Sequence, residues 1–181
     1  MADQELPSIE LLRKTFRYEP ETGKLFWNER PAQSFASLRA AMCWNAKFPN
    51  TEAGGLNTKG YIKISFNGKK YPAHRVAWAI HYGAWPAKQI DHINGVRSDN
   101  RITNLRECTC IENARNMKKP NRNTSGFVGV NWCKKNKAWN ARIGLNRKRV
   151  NLGYFANLND AVSVRRKAEA MHGFHPNHGR D

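Results

Sequence analysis

The sequence IDHINGVRSDNRITNLRECTCIEN, residues 90–113, decides how this chain folds. It opens with a short strand-like run that ends at an Asn-Gly turn, and residues 104–106 lead into a second strand. Thr109, with Glu112 three residues further on, matches a capping box and predicts a helix start, with Asn113 in the first turn. This stretch therefore predicts a strand, a second strand and a helix in succession.

The residues upstream predict a hairpin and a helix. Residues 61–66 and 69–71 are strand-like and flank Asn67-Gly68, a strong signal for a two-residue turn. Residues 74–82 repeat apolar side chains at spacings of three and four and stop at Gly83, which is typical of a helix with its end signal. We expect this helix to pack against the hairpin.

The N-terminal part, residues 1–53, is less regular. Residues 8–17 place apolar side chains at helical spacing behind Ser8, a plausible N-cap, and residues 24–27 predict a short strand. Residues 31–58 show no clear period and are expected to form an irregular insertion. We therefore treat residues 1–53 as a region that precedes a compact domain over residues 54–117.

A second module follows a basic stretch. Residues 118–124 hold a proline and no large apolar side chain, which predicts a solvated linker. Residues 125–178 contain three strand-like runs, at 127–130, 138–143 and 149–155, and then a helix from Leu158 to about His172. The whole chain is thus predicted to be α+β, ending in a small three-stranded antiparallel sheet with one helix.

The charge of the chain points to a polyanionic partner. There are 31 Lys and Arg residues against 14 Asp and Glu, a net charge of +17, and residues 118–181 carry fourteen basic and three acidic residues. No apolar run approaches the ~20 residues of a membrane span, and the first residues do not resemble a signal peptide, so we expect a cytoplasmic protein. The four cysteines lack the paired spacing of a zinc site. RNA would satisfy the charge as well as DNA does.

Phosphodiester hydrolysis needs a group that deprotonates water and a cation that stabilises the charge developing on phosphate. Asp91, His92, Asn104 and Asn113 supply one carboxylate, one imidazole and two amides within 23 residues. The structural alternative is that the Asp and Asn side chains cap turns and that His92 lies on the surface. Each residue alone fits that alternative, whereas the four together favour a catalytic site.

Residues 54–116 resemble the HNH endonucleases of the ββα-metal group, in particular those of phage homing enzymes. The resemblance is carried by Gly60-Tyr61, His74-Arg75, the run from Ile90 to Gly95, Asp99-Asn100-Arg101, Asn104-Leu105 and Glu112-Asn113. It implies that His92 is the general base, that Asp91 and Asn113 bind one divalent cation, and that Asn104 helps to hold His92. Oxygen ligands of this kind suit Mg²⁺, with Mn²⁺ as a substitute.

Residues 124–175 resemble the Apetala2-type (AP2) DNA-binding domain, in which a three-stranded sheet lies in the DNA major groove. The resemblance rests on residues 125–130, 139–143 and 152–155 and on the Ala-containing helix. The residues it implies as DNA contacts are Trp132, Trp139, Arg142, Arg147 and Arg149. Packing of Trp139 against the helix and a solvated basic face are the structural alternatives.

Two residues outside these sets remain open from sequence alone. His74 either contacts substrate or packs, and Arg75 either contacts phosphate or solvent. Taken together, the resemblances imply a metal-dependent DNA endonuclease of phage homing type that nicks or breaks double-stranded DNA. The alternative is a non-catalytic DNA-binding regulator that retains the HNH fold. No obligate protein partner is evident, and a monomer is favoured.

Overall fold

The computed structural model describes residues 6–145 and 148–180, and the chain divides into two compact units, Met1–Cys108 and Thr109–Asp181. The boundary predicted between residues 117 and 118 therefore lies inside the second unit. Within the described residues, no helix combines the length and the apolarity that a membrane crossing requires.

The first unit begins with helix α1 (Ile9–Thr15), strand β1 (Phe16–Glu19) and strand β2 (Lys24–Trp27). Ser8 caps α1 as predicted, because its hydroxyl accepts a hydrogen bond from the main-chain N–H of Leu11 at 3.2 Å. Strands β1 and β2 pair antiparallel. The sequence predicted β2 but continued the helix to residue 17, into the first half of β1.

Helix α2 (Leu38–Lys47) occupies part of the segment that the sequence predicted to be irregular. Ser37 caps it by accepting from the N–H of Ala40. Its apolar anchor is Trp44, whose ring packs against Trp27 and Phe35. Only Ala41 of this helix is buried, while Leu38 and Met42 are exposed, so the stretch lacks the apolar stripe that would have marked it as a helix.

The predicted hairpin and helix form the centre of the first unit. Strands β3 (Gly55–Leu56), β4 (Ile62–Phe66) and β5 (Lys69–Pro72) make an antiparallel sheet in that order, and helix α3 (Ala73–Tyr82) ends at Gly83 in the left-handed conformation. The core joins one face of this sheet to α1 and α3. Its members include the fully buried side chains Leu12, Ile64, Phe66, Val76 and Ala77.

The last two strands of the first unit are β6 (Gln89–His92) and β7 (Leu105–Cys108), which pair antiparallel with His92 opposite Leu105. Helix α4 (Cys110–Ala114) follows in the chain as the first element of the second unit. Thr109 and Glu112 form the predicted capping box. The succession of strand, strand and helix over residues 90–113 is thus confirmed.

The rest of the second unit is the predicted three-stranded sheet with its helix. Strands β8 (Val130–Cys133), β9 (Ala138–Leu145) and β10 (Lys148–Phe155) form an antiparallel meander, and helix α5 (Leu158–Met171) is capped by Asn157. Val130, Ala141, Ala161 and Val162 form the core between helix and sheet. Arg165 is 4% exposed and donates to the carbonyls of Val128 and Arg142, which ties the helix to the sheet.

The segment predicted to be a solvated linker pairs with the C-terminal tail. The N–H of Lys119 donates to the carbonyl of Arg180, and the N–H of Gly179 donates to the carbonyl of Met117, both at 2.8 Å. The guanidinium of Arg180 also donates to the main-chain and side-chain oxygens of Asn116. Residues 116–119 are therefore part of the second unit and are not a free connection.

Candidate active site

Strand β6 carries Asp91 and His92 at its C-terminal end, and both side chains are buried, with 8% and 4% exposure. Between β6 and β7 the chain makes a loop over residues 93–104. The burial of an ionisable pair next to a loop rich in Asn and Asp is typical of a functional site rather than of a folding core. The loop determines what surrounds the His92 ring.

Asn104 and Asp99 hold this loop together. The side chain of Asn104 accepts from the N–H of Asn94 at 2.9 Å and donates to the main-chain carbonyl of Asp99 at 2.8 Å. The main-chain carbonyl of Asn104 accepts from the N–H of Ile93. Hydrogen bonds from the Arg101 guanidinium lower the pKa of Asp99 to about 2. Asn104 therefore stabilises the main chain of the loop that follows His92. The His92 ring itself has a different side-chain partner.

That partner is Asn100, whose Oδ1 lies 3.1 Å from Nε2 of His92. With the amide oxygen of Asn100 facing the ring, Nε2 is the donor of this hydrogen bond, because a carbonyl oxygen only accepts. Burial lowers the pKa of His92, an effect that the bond to Asn100 opposes. A neutral imidazole held in one tautomer is the state that a general base requires.

Asn100 is 1% exposed and is held by the N-terminal hairpin. The hydroxyl of Tyr18 in β1 donates to the main-chain carbonyl of Asn100 at 2.7 Å. Gly23, at φ 74°, lies against the main chain of residues 100 and 101. A Cβ on Gly23 would stand 2.4 Å from the N atom of Arg101 and 2.5 Å from the C atom of Asn100. The N-terminal region is therefore a support of the site. In the sequence, Asn100 stands out only as part of a motif, because no local signal shows which amide side chain lies next to the His92 ring.

His74, the second residue of α3, lies against His92. The two rings are 5.1 Å apart in an edge-on arrangement, and the ring of Tyr61 is 5.6 Å from His74 and 5.9 Å from His92. Burial, followed by the nearby charges of His92 and Arg75, lowers the pKa of His74 to about 3. His74 is thus a neutral imidazole packed beside His92, and its buried Nδ1 has no hydrogen-bond partner among the described residues.

Asp91 is oriented by Arg106 from the neighbouring strand. Nε and Nη2 of Arg106 both donate to Oδ2 of Asp91, at 3.1 and 2.8 Å. A carboxylate fixed in this way fits a hard divalent cation, which prefers oxygen ligands. Within the described residues, no group of three or more His, Cys, Asp or Glu side chains is arranged to hold a metal ion. The ligand pair implied by the resemblance is one carboxylate and one amide, and Asn113 lies in α4.

Arg75 has an evident structural role. Its guanidinium donates to the carbonyls of Pro86 and Lys88, at 3.1 and 3.2 Å. These bonds fix the connection between α3 and β6, which leads directly to Asp91 and His92. The position of Arg75 is therefore explained without a phosphate contact.

The sheet of the second unit presents one face to α5 and a polar face on the other side. Residues paired across antiparallel strands project to the same side, and side chains alternate along each strand. Ala141 and Ile143 are buried on the helix side, which places Arg142 on the polar side together with its cross-strand partner Asn151. The residues that share the polar side are Asn131, Asn140, Arg142, Arg149, Asn151 and Tyr154.

Four of the five predicted DNA contacts lie in the described residues, and these four are distributed over both sides of the sheet. Arg142 and Arg149 lie on the polar side, whereas Trp139 packs with the core on the helix side and Trp132, paired with it, makes an edge-on ring contact at 5.3 Å. Arg147 lies outside the described residues. Asn131 and Tyr154 were not named from the sequence, although the alternation of residues 138–143 contains the signal that separates the two sides.

Comparisons with known proteins place this site in a family. A family model described as HNH endonuclease matches residues 71–115, from β5 through α4. Protein 3.8 of Escherichia phage T7 is 32% identical over 101 residues, which cover 55% of this chain and 84% of that protein. A solved structure concerning DNA binding and cleavage by the HNH homing endonuclease I-HmuI aligns at 24% identity with a TM-score of 0.40, over 62% of this chain and 57% of that one. Because the family match falls on the elements that carry Asp91, His92 and Asn113, and the phage relative aligns over most of its own length, the chain belongs to the HNH endonuclease family.

Proposed function

We propose that this protein is a metal-dependent endonuclease that hydrolyses phosphodiester bonds of double-stranded DNA. The observation that carries the proposal is the buried His92, whose Nε2 lies 3.1 Å from Oδ1 of the buried Asn100, so that the imidazole is held in one orientation. The relative from phage T7 supports a phage-type protein. Its homing type and its action in the cytoplasm of an infected cell are part of the proposal. The net charge of +17 supports a nucleic-acid substrate.

His92 performs the proton transfer in this scheme. Its neutral imidazole removes a proton from the attacking water as the new bond to phosphorus forms and the bond from phosphorus to the departing sugar oxygen breaks. Asn100 keeps the ring oriented and stabilises the proton on Nε2 while the ring becomes charged. Burial of the ring keeps it neutral before the reaction, because the charged form is disfavoured there.

Asp91 and Asn113 are the proposed ligands of one divalent cation, Mg²⁺ or Mn²⁺. A bound cation would supply positive charge for the phosphate and for the leaving oxygen. Arg106 keeps the Asp91 carboxylate in one orientation through its two hydrogen bonds. We assign Asn104 the role of holding the loop on which Asn100 stands, through its bonds to residues 93, 94 and 99.

The second unit is proposed to bind duplex DNA through the polar side of its sheet, in the manner of an AP2-type domain. Arg142 and Arg149 are its proposed basic contacts, and a sheet of this size fits the major groove. The amide of Asn140 donates to Oδ1 of Asn151 at 2.6 Å, so that the two Asn side chains are held together on this side. Such amides are suited to reading base edges. Arg147, which lies outside the described residues, stays a candidate from sequence.

Incubation of supercoiled plasmid and phage DNA with the protein tests the proposed activity. With Mg²⁺ we expect nicked or linear products, with Mn²⁺ the same products, and with EDTA none. Duplex RNA in a parallel reaction distinguishes the two nucleic acids. Tight DNA binding without cleavage in any metal would instead support the non-catalytic regulator, and cleavage of RNA alone would contradict the assignment of DNA as substrate.

Replacement of Asn100 tests how His92 is held. We expect Asn100→Ala to lower the cleavage rate about 10- to 100-fold, the loss typical of removing a group that orients a reactive side chain. Asn100→Asp, which keeps an acceptor for Nε2, should retain more of the rate. Both are measured on plasmid DNA under single-turnover conditions, with DNA binding followed in EDTA. Wild-type rates in both variants would remove Asn100 from the proposed site.

A further inference from the structure

A second basic surface lies in the first unit, on the outer side of the β3–β4–β5 sheet. Ile64 and Phe66 of β4 are buried on the core side, so Lys63 and Ser65 project to the outer side. The cross-strand pairing places Lys70 on the same outer side as Ser65. A groove of about 590 Å³ lies over this side and is lined by Leu56, Lys63, Ser65 and Lys70 among others.

This outer side is open at β3 and carries uncompensated positive charge. Gly55 pairs with Lys63, and a Cβ built on it would meet nothing within 4 Å, so no side chain rises from β3 at that point. Lys63 and Lys70 are exposed, and neither forms an ion pair with any described acidic residue. Two lysines together on an open sheet surface repel one another unless an anion lies between them.

The same side leads to His92. Tyr61 directly precedes β4, two residues before Lys63, and its ring is 5.9 Å from that of His92. The guanidinium of Arg97 lies 5.1 Å over the Tyr61 ring and donates to the carbonyl of Lys59. Arg97 thus adds a positive charge at the end of the sheet nearest to His92, and its charge contributes to the lowered pKa of His92, after burial.

We infer that Arg97, Lys63 and Lys70 form a track that binds the phosphates of the DNA strand next to the bond being cut. A strand rises about 3.4 Å per residue, so the level of Ser65 and Lys70 lies about 13 Å from Tyr61. That length spans about four phosphates of one DNA strand, at about 3.4 Å of helix axis each. The inference rests on the proposed function, because it takes DNA as the substrate of His92. The track positions the backbone without reading bases.

A double variant of the full-length protein tests the track. We expect Lys63→Gln with Lys70→Gln to lower affinity for a 30-bp duplex in EDTA roughly tenfold at 0.1 M salt. The slope of log affinity against log salt should fall by about 1.8, which corresponds to two phosphate contacts. In Mg²⁺ the variant should show a raised KM for plasmid nicking and a nearly unchanged kcat.

The control removes the same charge from the other side of the sheet. Lys69 pairs with Phe66 and so projects to the core side at the end of the strand, and Lys14 is an exposed residue of α1. Lys69→Gln with Lys14→Gln should leave the slope within error of wild type. Equal losses in the two double variants would overturn the track, because they would show only an effect of total charge.

A second variant adds an acid on the track itself. Gly55→Glu places a carboxylate beside Lys63, on the neighbouring edge strand and at a position with space for a side chain, and it should weaken DNA binding more than Gly55→Gln does. Equal affinity of these two variants would also overturn the track. Because binding is measured without metal, it is independent of catalysis. A wild-type protein that fails to cut DNA would contradict the proposed function, whereas a double variant that binds and cuts normally would contradict the track alone.

Discussion

His92→Ala is expected to reduce DNA cleavage by about 10²- to 10⁴-fold, the contribution typical of a general base, and to leave DNA binding nearly unchanged. The ring is 4% exposed and its partner Asn100 is 1% exposed, so the change removes a proton acceptor from a site enclosed by protein. The rate is measured by the loss of supercoiled plasmid at saturating Mg²⁺, and binding is measured in EDTA.

His81→Ala provides the matched control for this change. His81 is the exposed histidine of the last turn of α3 in the same unit, and its ring contacts are with Tyr18 and Tyr82. We expect its cleavage rate to stay close to that of wild type. Cleavage by His92→Ala at the wild-type rate would contradict the assignment of His92, and equal losses in both variants would point to damaged folding, which thermal unfolding would reveal.

Much of the fold could be predicted because local signals and burial agree. The Asn67-Gly68 turn, the stop at Gly83 and the capping box of Thr109 and Glu112 each have one favourable local structure, and the structure has it. Helix α2 was missed because it buries only Ala41 and is held by the aromatic contacts of Trp44. Contacts of this kind depend on residues far away in sequence.

The candidate site shows the same division between local and distant causes. Asp91, His92 and Asn104 stand out by spacing, but the residue that faces the His92 ring is Asn100. Asn100 is placed by Tyr18 and by the close approach of Gly23, which are some eighty residues earlier in the chain. No pattern within residues 90–113 contains that information. For the same reason, the N-terminal hairpin was not recognised as part of the support of the site.

The two tryptophans of the second unit illustrate a signal that was available. Trp139, Ala141 and Ile143 alternate with Asn140 and Arg142, which separates an apolar side from a polar side without any structure. The observed register follows this alternation, with Trp139 in the core cluster. A resemblance in residue types had therefore suggested contacts that the strand period does not favour.

Removal of the C-terminal module by truncation would be a poor test of DNA binding by its sheet. Residues 116–119 pair with the tail that ends at Arg180, and α4, which carries Asn113, belongs to the same compact unit. Truncation after Lys119 would leave the partners of that tail without their hydrogen bonds and would disturb the segment next to α4. Point changes on the polar side of the sheet leave those bonds intact.

Arg142→Gln with Arg149→Gln is therefore expected to lower affinity for duplex DNA at least about tenfold at 0.1 M salt, and to reduce the salt slope by about 1.8. Both side chains project from the polar side, whereas Arg166 and Lys167 are exposed on α5, the helix that covers the other side. Arg166→Gln with Lys167→Gln thus removes the same charge as a control.

The arginine pair should act on binding rather than on the chemical step, because it lies on a sheet far along the chain from Asp91 and His92. Cleavage by the variant should reach the wild-type rate at high DNA concentration, which corresponds to a raised KM and an unchanged kcat. Arg142→Lys with Arg149→Lys keeps the charge but not the planar, five-donor head group. If this variant retains the salt slope yet loses preference among DNA sequences, the arginines read bases; if it retains both, they bind phosphate only. Unchanged affinity in the glutamine variant would show that the polar side of the sheet does not face DNA.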